Sequence, residues 1–404
     1  MTVRDRALPS PGSPPTGGEP RPLRVLMATP HYFPSMGGVE THVYEVARRL
    51  AAAGVDVTVV TTDSSGALPA VEHSEGVRVR RVGVLTTAAD SCFAPDVYRI
   101  VRDGHWDIVH AQGCQTLVAP LAMLGARRAR TPYVVTFHTG GHSSRVRSVL
   151  RGAQWSVIRP LLARADRLIG VSRFEADFFR DRLSLPAARF TVIPNGGRLP
   201  AITGSAVAAG AGAPIVSVGR LERYKGHHRV IAALPYVREH YPAASLLILG
   251  QGPYGDALRR LARRQGVSDY VDIRAIPAQR RQDMAAALAQ ASVVTLLSEY
   301  EAHPIAVMEA LALRRPVLVA ATSGLNELAE RGLVRSVPLD SGPRQVAAAL
   351  LDQIERPLMP PEGITIPTWD DCAAGLLALY RDCGTIAPGT AARETCGTPD
   401  ERNR

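Results

Sequence analysis

Short apolar, β-branched runs alternate with helix-spaced segments along most of the chain, and this alternation restricts the fold more than any other feature. In the first half the runs begin at Val25, Val57, Asp107, Tyr133, Leu168 and Phe190; in the second they begin at Ile215, Leu246, Val271, Val293, Pro316 and Val334. Near-continuous hydrophobic runs of this kind mark parallel strands buried on both faces. After the first run, Val39, Val43, Val46, Ala47 and Leu50 fall on one helical face, and Gly54 closes that segment. The pattern predicts an α/β protein of two doubly wound, Rossmann-like domains facing each other. In open sheets of this class, ligands bind beyond the carboxyl ends of the strands, so the cleft between the domains is the expected site.

The predicted boundaries are 22–198 for the first domain, 199–213 for a Gly/Ala-rich hinge linker and 214–365 for the second domain. A last helix, 366–384, carries Ala373, Leu376, Leu377 and Tyr380 on one face. The ends, 1–21 and 385–404, are predicted to be disordered. Met1 to Pro22 has no apolar core for a signal peptide, and the weakly apolar stretch Ala201–Gly219 consists largely of Gly, Ala and Ser, so no membrane span is expected. The cysteines (Cys92, Cys114, Cys372, Cys383, Cys396) are odd in number and form no Cys-x-x-Cys pair, which fits a reducing cytoplasm rather than a disulfide framework. The net charge of +10 is mild for 404 residues. It permits phosphate-bearing partners without indicating nucleic acid.

The candidate chemistry sits at strand ends. Gly37 and Gly38 follow the first strand and open a helix, allowing backbone to approach an anion at the helix amino terminus; the plainer account is a simple strand-to-helix turn. Arg220 and Lys225 follow the strand at Ile215. Two cations there suit a diphosphate, with arginine gripping two oxygens and lysine acting as a point charge. The alternative is a pair of solvated surface charges, but Lys225 is the only lysine among 47 basic residues. Its retention points to a place where a guanidinium fits poorly. Further on, Glu301 precedes a helix that Pro304 is expected to start, and Glu309 lies on its second turn. Between them the N–H groups of Ile305, Ala306 and Val307 are expected to point at the cleft and hold a phosphate. Two carboxylates beside an anion need hydroxyls to accept from, as sugar and ribose would supply; the helix dipole alone accounts for one glutamate more readily than two. His138 falls at the end of the strand at Tyr133, facing the cleft; a lone histidine is more often structural than catalytic, but this strand-end address favours a role in the site.

Taken together, Gly37-Gly38, the Val-Gly-Arg-Leu-x-x-x-Lys-Gly run at 218–226, Glu301 with Glu309, and Val192-Ile-Pro-Asn-Gly resemble the GT4-type retaining glycosyltransferases of the GT-B fold. The likeness runs from Leu23 to about Cys383. It implies a nucleotide-diphosphate sugar as co-substrate, with no metal and no other cofactor. It implies Arg220 and Lys225 on the diphosphate, Glu309 on ribose hydroxyls, Glu301 on donor-sugar hydroxyls, Gly38 near the phosphates and His138 beside the transferred sugar. The opening Gly-Gly-Val-Glu-Thr-His is similar to members using UDP-N-acetylglucosamine or UDP-glucose. The alternatives are a GDP-mannose-dependent mannosyltransferase and a non-catalytic nucleotide-sugar-binding scaffold. A nicotinamide-dependent oxidoreductase lacks its glycine fingerprint here. Two departures stand out: Ala302-His303-Pro304 replaces the common Gly-Phe-Gly, and Gly197-Arg198 replaces the usual Val-Asp.

The acceptor is expected to be a hydroxyl compound, either a small molecule such as a cyclitol or natural-product core, or a lipid. Residues 145–167 bear on that choice. Their arginines (145, 147, 151, 159, 164 and 167) interleave with Trp155, Ile158 and Leu162. Such a segment either lies on the inner face of an anionic membrane or packs on the sheet as helices with solvated arginines.

Overall fold

The structure, a computed structural model, describes residues 21–35, 37–85, 92–138, 145–197, 199, 212–277, 280–361 and 363–385, with side chains left undescribed for 145–153 and for 384–385. The tail segments 1–20 and 386–404 and linker residues 200–211 therefore lie outside it.

Strands β1 (Arg24–Ala28), β2 (Asp56–Asp63), β3 (Val71–Ser74), β4 (Val77–Gly83), β5 (Ile108–Gln112), β6 (Tyr133–Thr136), β7 (Arg167–Gly170) and β8 (Phe190–Val192) form the first sheet, in the order β3-β4-β2-β1-β5-β6-β7-β8. The second contains β9 (Pro214–Val218), β10 (Ser245–Leu249), β11 (Val271–Arg274), β12 (Val293–Leu296), β13 (Val317–Ala320) and β14 (Arg335–Val337), in the order β11-β10-β9-β12-β13-β14. Neighbours are parallel except β3, which pairs antiparallel with β4. Both orders reverse direction beside the first strand of the sheet, which opens a crevice at the strand carboxyl ends.

Helices α1 (Gly38–Ala52), α2 (Pro95–Asp103), α3 (Val118–Ala129), α4 (Arg145–Leu162) and α5 (Arg173–Leu183) belong to the first half. The second half carries α6 (His227–Arg238), α7 (Gly255–Arg264), α8 (Arg281–Ala289), α9 (Ile305–Ala312), α10 (Ser323–Glu330) and α11 (Pro343–Glu355). The last helix, α12 (Trp369–Thr385), returns to the first half. Its Trp369, Cys372, Leu376 and Tyr380 share a core with Val25, Val43, Val57 and Ile108. Tyr380 Oη lies 2.6 Å from His110 Nδ1, and Arg49 of α1 donates to Asp370 at 2.7 Å.

The β3–β4 hairpin has no counterpart among the apolar runs. β4 places Val77 and Val79 in the core shared with α1 and α12 and Val82, on the opposite face, in the core that holds α2 and α3, with arginines between them, and its turn uses Gly76 at φ 77°. Along α4, Trp155, Ile158 and Leu162 are buried in the first-domain core, while Val157 is exposed. The described arginines of the 145–167 segment serve nearby carbonyls: Arg159 donates to Leu183 O at 2.7 Å, Arg164 to Pro160 O and Arg167 to Asp166 O. These contacts are those of a helix packed on its own sheet. No helix of the described residues is long and apolar enough to cross a membrane.

The halves meet below the cleft. Asn195 accepts from His42 Nδ1 at 2.9 Å and donates through Nδ2 to His303 O at 2.9 Å, linking α1 to the loop before α9. Gly197 explains one sequence departure. A Cβ there would come within 2.3 Å of the Met308 carbonyl carbon, so the segment presses against α9 at a distance that excludes the usual valine.

Candidate active site

Between the two sheets lies a cavity of about 560 Å³. Pro34, Ser35, Gly37, Gly38 and Thr41 form its first-domain wall, and its second-domain wall includes Arg220, Lys225, Glu301, Ile305, Ala306 and Glu309. Eight of the residues singled out in the sequence thus share one space. Packing does not explain Gly38, since a Cβ there would meet nothing within 4 Å and the position opens to the cavity.

Lys225 and Arg220 are held by the turn after β9. Gly226 adopts φ 75°, and any Cβ would fall 1.9 Å from Leu297 O, so only glycine lets this turn reach the end of β12. Lys225 Nζ then lies 2.5 Å from Glu301 Oε1 and 5.3 Å from the centre of the Tyr224 ring. Burial alone would lower the Lys225 pKa, but Glu301 and Tyr224 outweigh it, and the ammonium stays above its ordinary value. Arg220 is half-exposed and donates to Tyr224 Oη at 2.6 Å. Behind it, His227 Nε2 reaches the Arg220 carbonyl at 3.3 Å while Nδ1 meets Ser217 Oγ at 2.8 Å. Burial pulls His227 down to about 4, so this support is neutral.

Glu301 also accepts from Ser298 Oγ at 2.7 Å, and its N–H donates to Ser323 Oγ at 2.8 Å. Glu309 is 3% exposed and ion-paired with Arg281, the first residue of α8, which itself lines the cavity. Burial pushes the Glu309 carboxyl upward, and Arg281 offsets part of that rise. Each carboxylate therefore already has its own cation. This corrects the expectation that hydroxyls alone relieve their repulsion of an anion.

Two further corrections concern the start of α9. Pro304 is not its first residue but the residue before it, with extended backbone at ψ 121°. The Val307 N–H is not free, because it donates to Pro304 O at 3.1 Å, and the residue is fully buried. Ile305 and Ala306 do line the cavity, and first-turn N–H groups have no intrahelical acceptor.

His138 stands apart from the cavity walls. Its ring meets His42 edge-on at 4.5 Å, and its Nε2 lies 2.7 Å from Gln112 Oε1. Burial, reinforced by His42 and His110, lowers its pKa well below the usual value, so the imidazole is neutral at pH 7. Among the described residues no group of three or more His, Cys, Asp or Glu side chains is arranged to hold a metal ion.

Sequence reasoning did not find Tyr224, Arg281, Ser298 or Ser323. Arg281 had no distinguishing signal in a chain whose basic residues are nearly all arginine. Tyr224 was legible in principle, as an aromatic beside the single lysine.

Residues 36–197 match the family described as Glycosyltransferase Family 4, and residues 209–356 match Glycosyl transferases group 1. The chain is 31% identical to a glycogen synthase of Mycobacterium tuberculosis over 80% of its own length and 84% of that protein's. It is 28% identical to a D-inositol 3-phosphate glycosyltransferase of Salinispora arenicola, over 93% and 96% of the two lengths. Its fold is similar to that of sucrose-phosphate synthase from Thermosynechococcus elongatus, with a TM-score of 0.72, 21% identity, and 89% and 98% of the two chains covered. The two facing parallel-sheet domains are thus a GT-B fold.

Proposed function

This chain belongs to the family 4 glycosyltransferases, and from that premise we propose that it is a retaining hexosyltransferase using a UDP-linked donor, such as UDP-N-acetylglucosamine or UDP-glucose, and a hydroxyl acceptor. The observation that carries this reading is the convergence of Arg220, Lys225, Glu301, Glu309 and the α9 amino terminus on one interdomain cavity. In the reaction, the bond from the sugar anomeric carbon to the β-phosphate oxygen breaks. The acceptor oxygen bonds to that carbon on the same face, and the acceptor proton passes to the leaving phosphate. Negative charge grows on the diphosphate as it departs. Arg220, Lys225 and the Ile305 and Ala306 N–H groups stabilise that charge more in the transition state than in the ground state. No metal or other cofactor enters this reading.

Glu309 accepts from ribose hydroxyls and Glu301 from hydroxyls of the donor sugar. Gly38, with open space beside it, admits the phosphates from the first-domain side. His138, whose imidazole is neutral, is not a proton source in this reading. The acceptor is a soluble polyol or a lipid-linked hydroxyl. The name of the Salinispora relative makes a phosphorylated cyclitol the first candidate to try.

The test is a thermal-shift screen of nucleotide sugars, followed by mass spectrometry of products with candidate acceptors. A UDP-sugar that raises the melting temperature and is consumed supports the proposal. Consumption of GDP-mannose instead would replace the donor, and binding without turnover by any acceptor would favour a scaffold.

A further inference from the structure

The ion pair between Arg281 and Glu309 gives the second domain a residue of unassigned purpose. Arg281 opens α8, where the helix dipole disfavours a cation, so helix stability does not account for it. Asp283, two residues on, is the type of residue that position favours. The Arg281 side chain is 21% exposed and lines the cavity, whereas Glu309 is 3% exposed. α8 and α9 lie on one face of the sheet, packed through Met284, Leu288, Val307 and Met308, so the pair joins two helices at the edge of a shared core.

A carboxylate buried this deeply stays charged only with a partner. Arg281 engages Oε1, leaving Oε2 to accept from a ligand. We infer that Arg281 is a positioning residue for donor recognition: it holds Glu309 through Oε1 and aims it into the cavity, and thereby sets the preference for a ribose-bearing nucleoside diphosphate. The inference rests on the proposed donor reading, in which Glu309 meets the ribose. Without Arg281, nothing offsets the burial that raises the Glu309 carboxyl, which becomes easier to protonate. It is then a poorer acceptor for hydroxyls, although the diphosphate grip of Arg220 and Lys225 is untouched. Glu45 of α1 is the other charged group facing Glu309, and it is itself paired with Arg48 and Arg49.

The experiment compares binding of UDP and 2′-deoxy-UDP, and of GDP and 2′-deoxy-GDP, by calorimetry. The wild-type protein is expected to prefer the ribose form of its nucleotide about tenfold or more, as a hydrogen bond to a charged group provides. In Arg281→Met, confirmed as folded by its melt, the preference is expected to fall below about threefold at pH 7. It should return as the pH is raised and Glu309 ionises. Arg281→Lys is expected to keep most of the preference, since it restores a cation. An Arg281→Met protein with the wild-type preference, or with equal losses for both forms, overturns this inference alone. A wild-type protein that binds neither diphosphate overturns the donor reading and this inference with it.

Discussion

Lys225 Nζ and Glu301 Oε1 lie 2.5 Å apart, with 15% and 10% of their side chains exposed, so each charge is the other's main substitute for water. Removing one partner of such a pair strands the other, which typically costs about 3–5 kcal/mol. Lys225→Ala is therefore expected to lower the melting temperature by several degrees and donor turnover by about 100-fold or more. Lys225→Met combined with Glu301→Gln is expected to regain much of the lost stability but none of the turnover. Calorimetry and initial rates on the three proteins check this, and full turnover in Lys225→Ala would refute the assigned role.

Acid should loosen the fold before it reaches the ordinary carboxylate range. Burial holds His42, His227 and His303 each at about 4, below their usual value of 6.5. Between these values the unfolded chain binds more protons than the native one. Their contribution is complete above pH 6.5 and is lost as the pH falls toward 4, at up to about 1.4 kcal/mol per pH unit for each histidine. Urea midpoints measured at intervals from pH 7.5 to 4.5 are expected to decline steeply below 6.5, and a flat profile would contradict the buried neutral state.

Gly226→Ala places a side chain at φ 75° and a carbon 1.9 Å from Leu297 O. The turn must move, and Lys225 moves with it. A loss of roughly 2 kcal/mol or more is expected, together with weaker binding of any nucleoside diphosphate, measured by chemical denaturation and calorimetry.

Gly197→Val would restore the residue commonly found after the Pro-Asn-Gly run, yet here it should harm. Its Cβ meets Met308 backbone rather than a movable side chain. The variant is expected to be destabilised by about 1–3 kcal/mol, as overpacked sites are, and to bind donor more weakly because α9 is displaced. Unchanged donor affinity would show that the hinge and α9 are independent.

Asn195→Ala removes both contacts of the bridge from His42 to the His303 carbonyl. Two buried polar groups are left unpaired, at about 1–3 kcal/mol each. Hydrogen exchange is expected to quicken at the start of α9 and in α1, and to stay unchanged in α6 and α11.

The doubled architecture was readable because its central strands are buried on both faces and consist of little but apolar residues; β1, β12 and β13 are examples. β4 escaped for the opposite reason, since Arg78, Arg80 and Arg81 interrupt its valines. Within the site, Lys225 was visible as the one lysine among 47 basic residues, and Glu301 as one of two carboxylates around a helix start. Their mutual contact was not, because it joins residues 76 positions apart through the geometry of a single glycine turn. The Val307 amide is not readable as bonded, because it closes a three-residue turn onto the Pro304 carbonyl that helical spacing does not reveal. Arg281 needed three dimensions: only the proximity of α8 and α9 gives it a partner.

The return of α12 to the first half also governs the order in which the molecule can be built. Trp369 and Tyr380 complete a hydrophobic interior whose other members, such as Val25 and Val43, are synthesised more than three hundred residues earlier. On the ribosome, the amino-terminal lobe must wait with an unfilled groove until nearly the whole polypeptide has emerged. A nascent chain halted after residue 198 should consequently be a ready chaperone client, and supplying the α12 segment in trans should relieve that dependence.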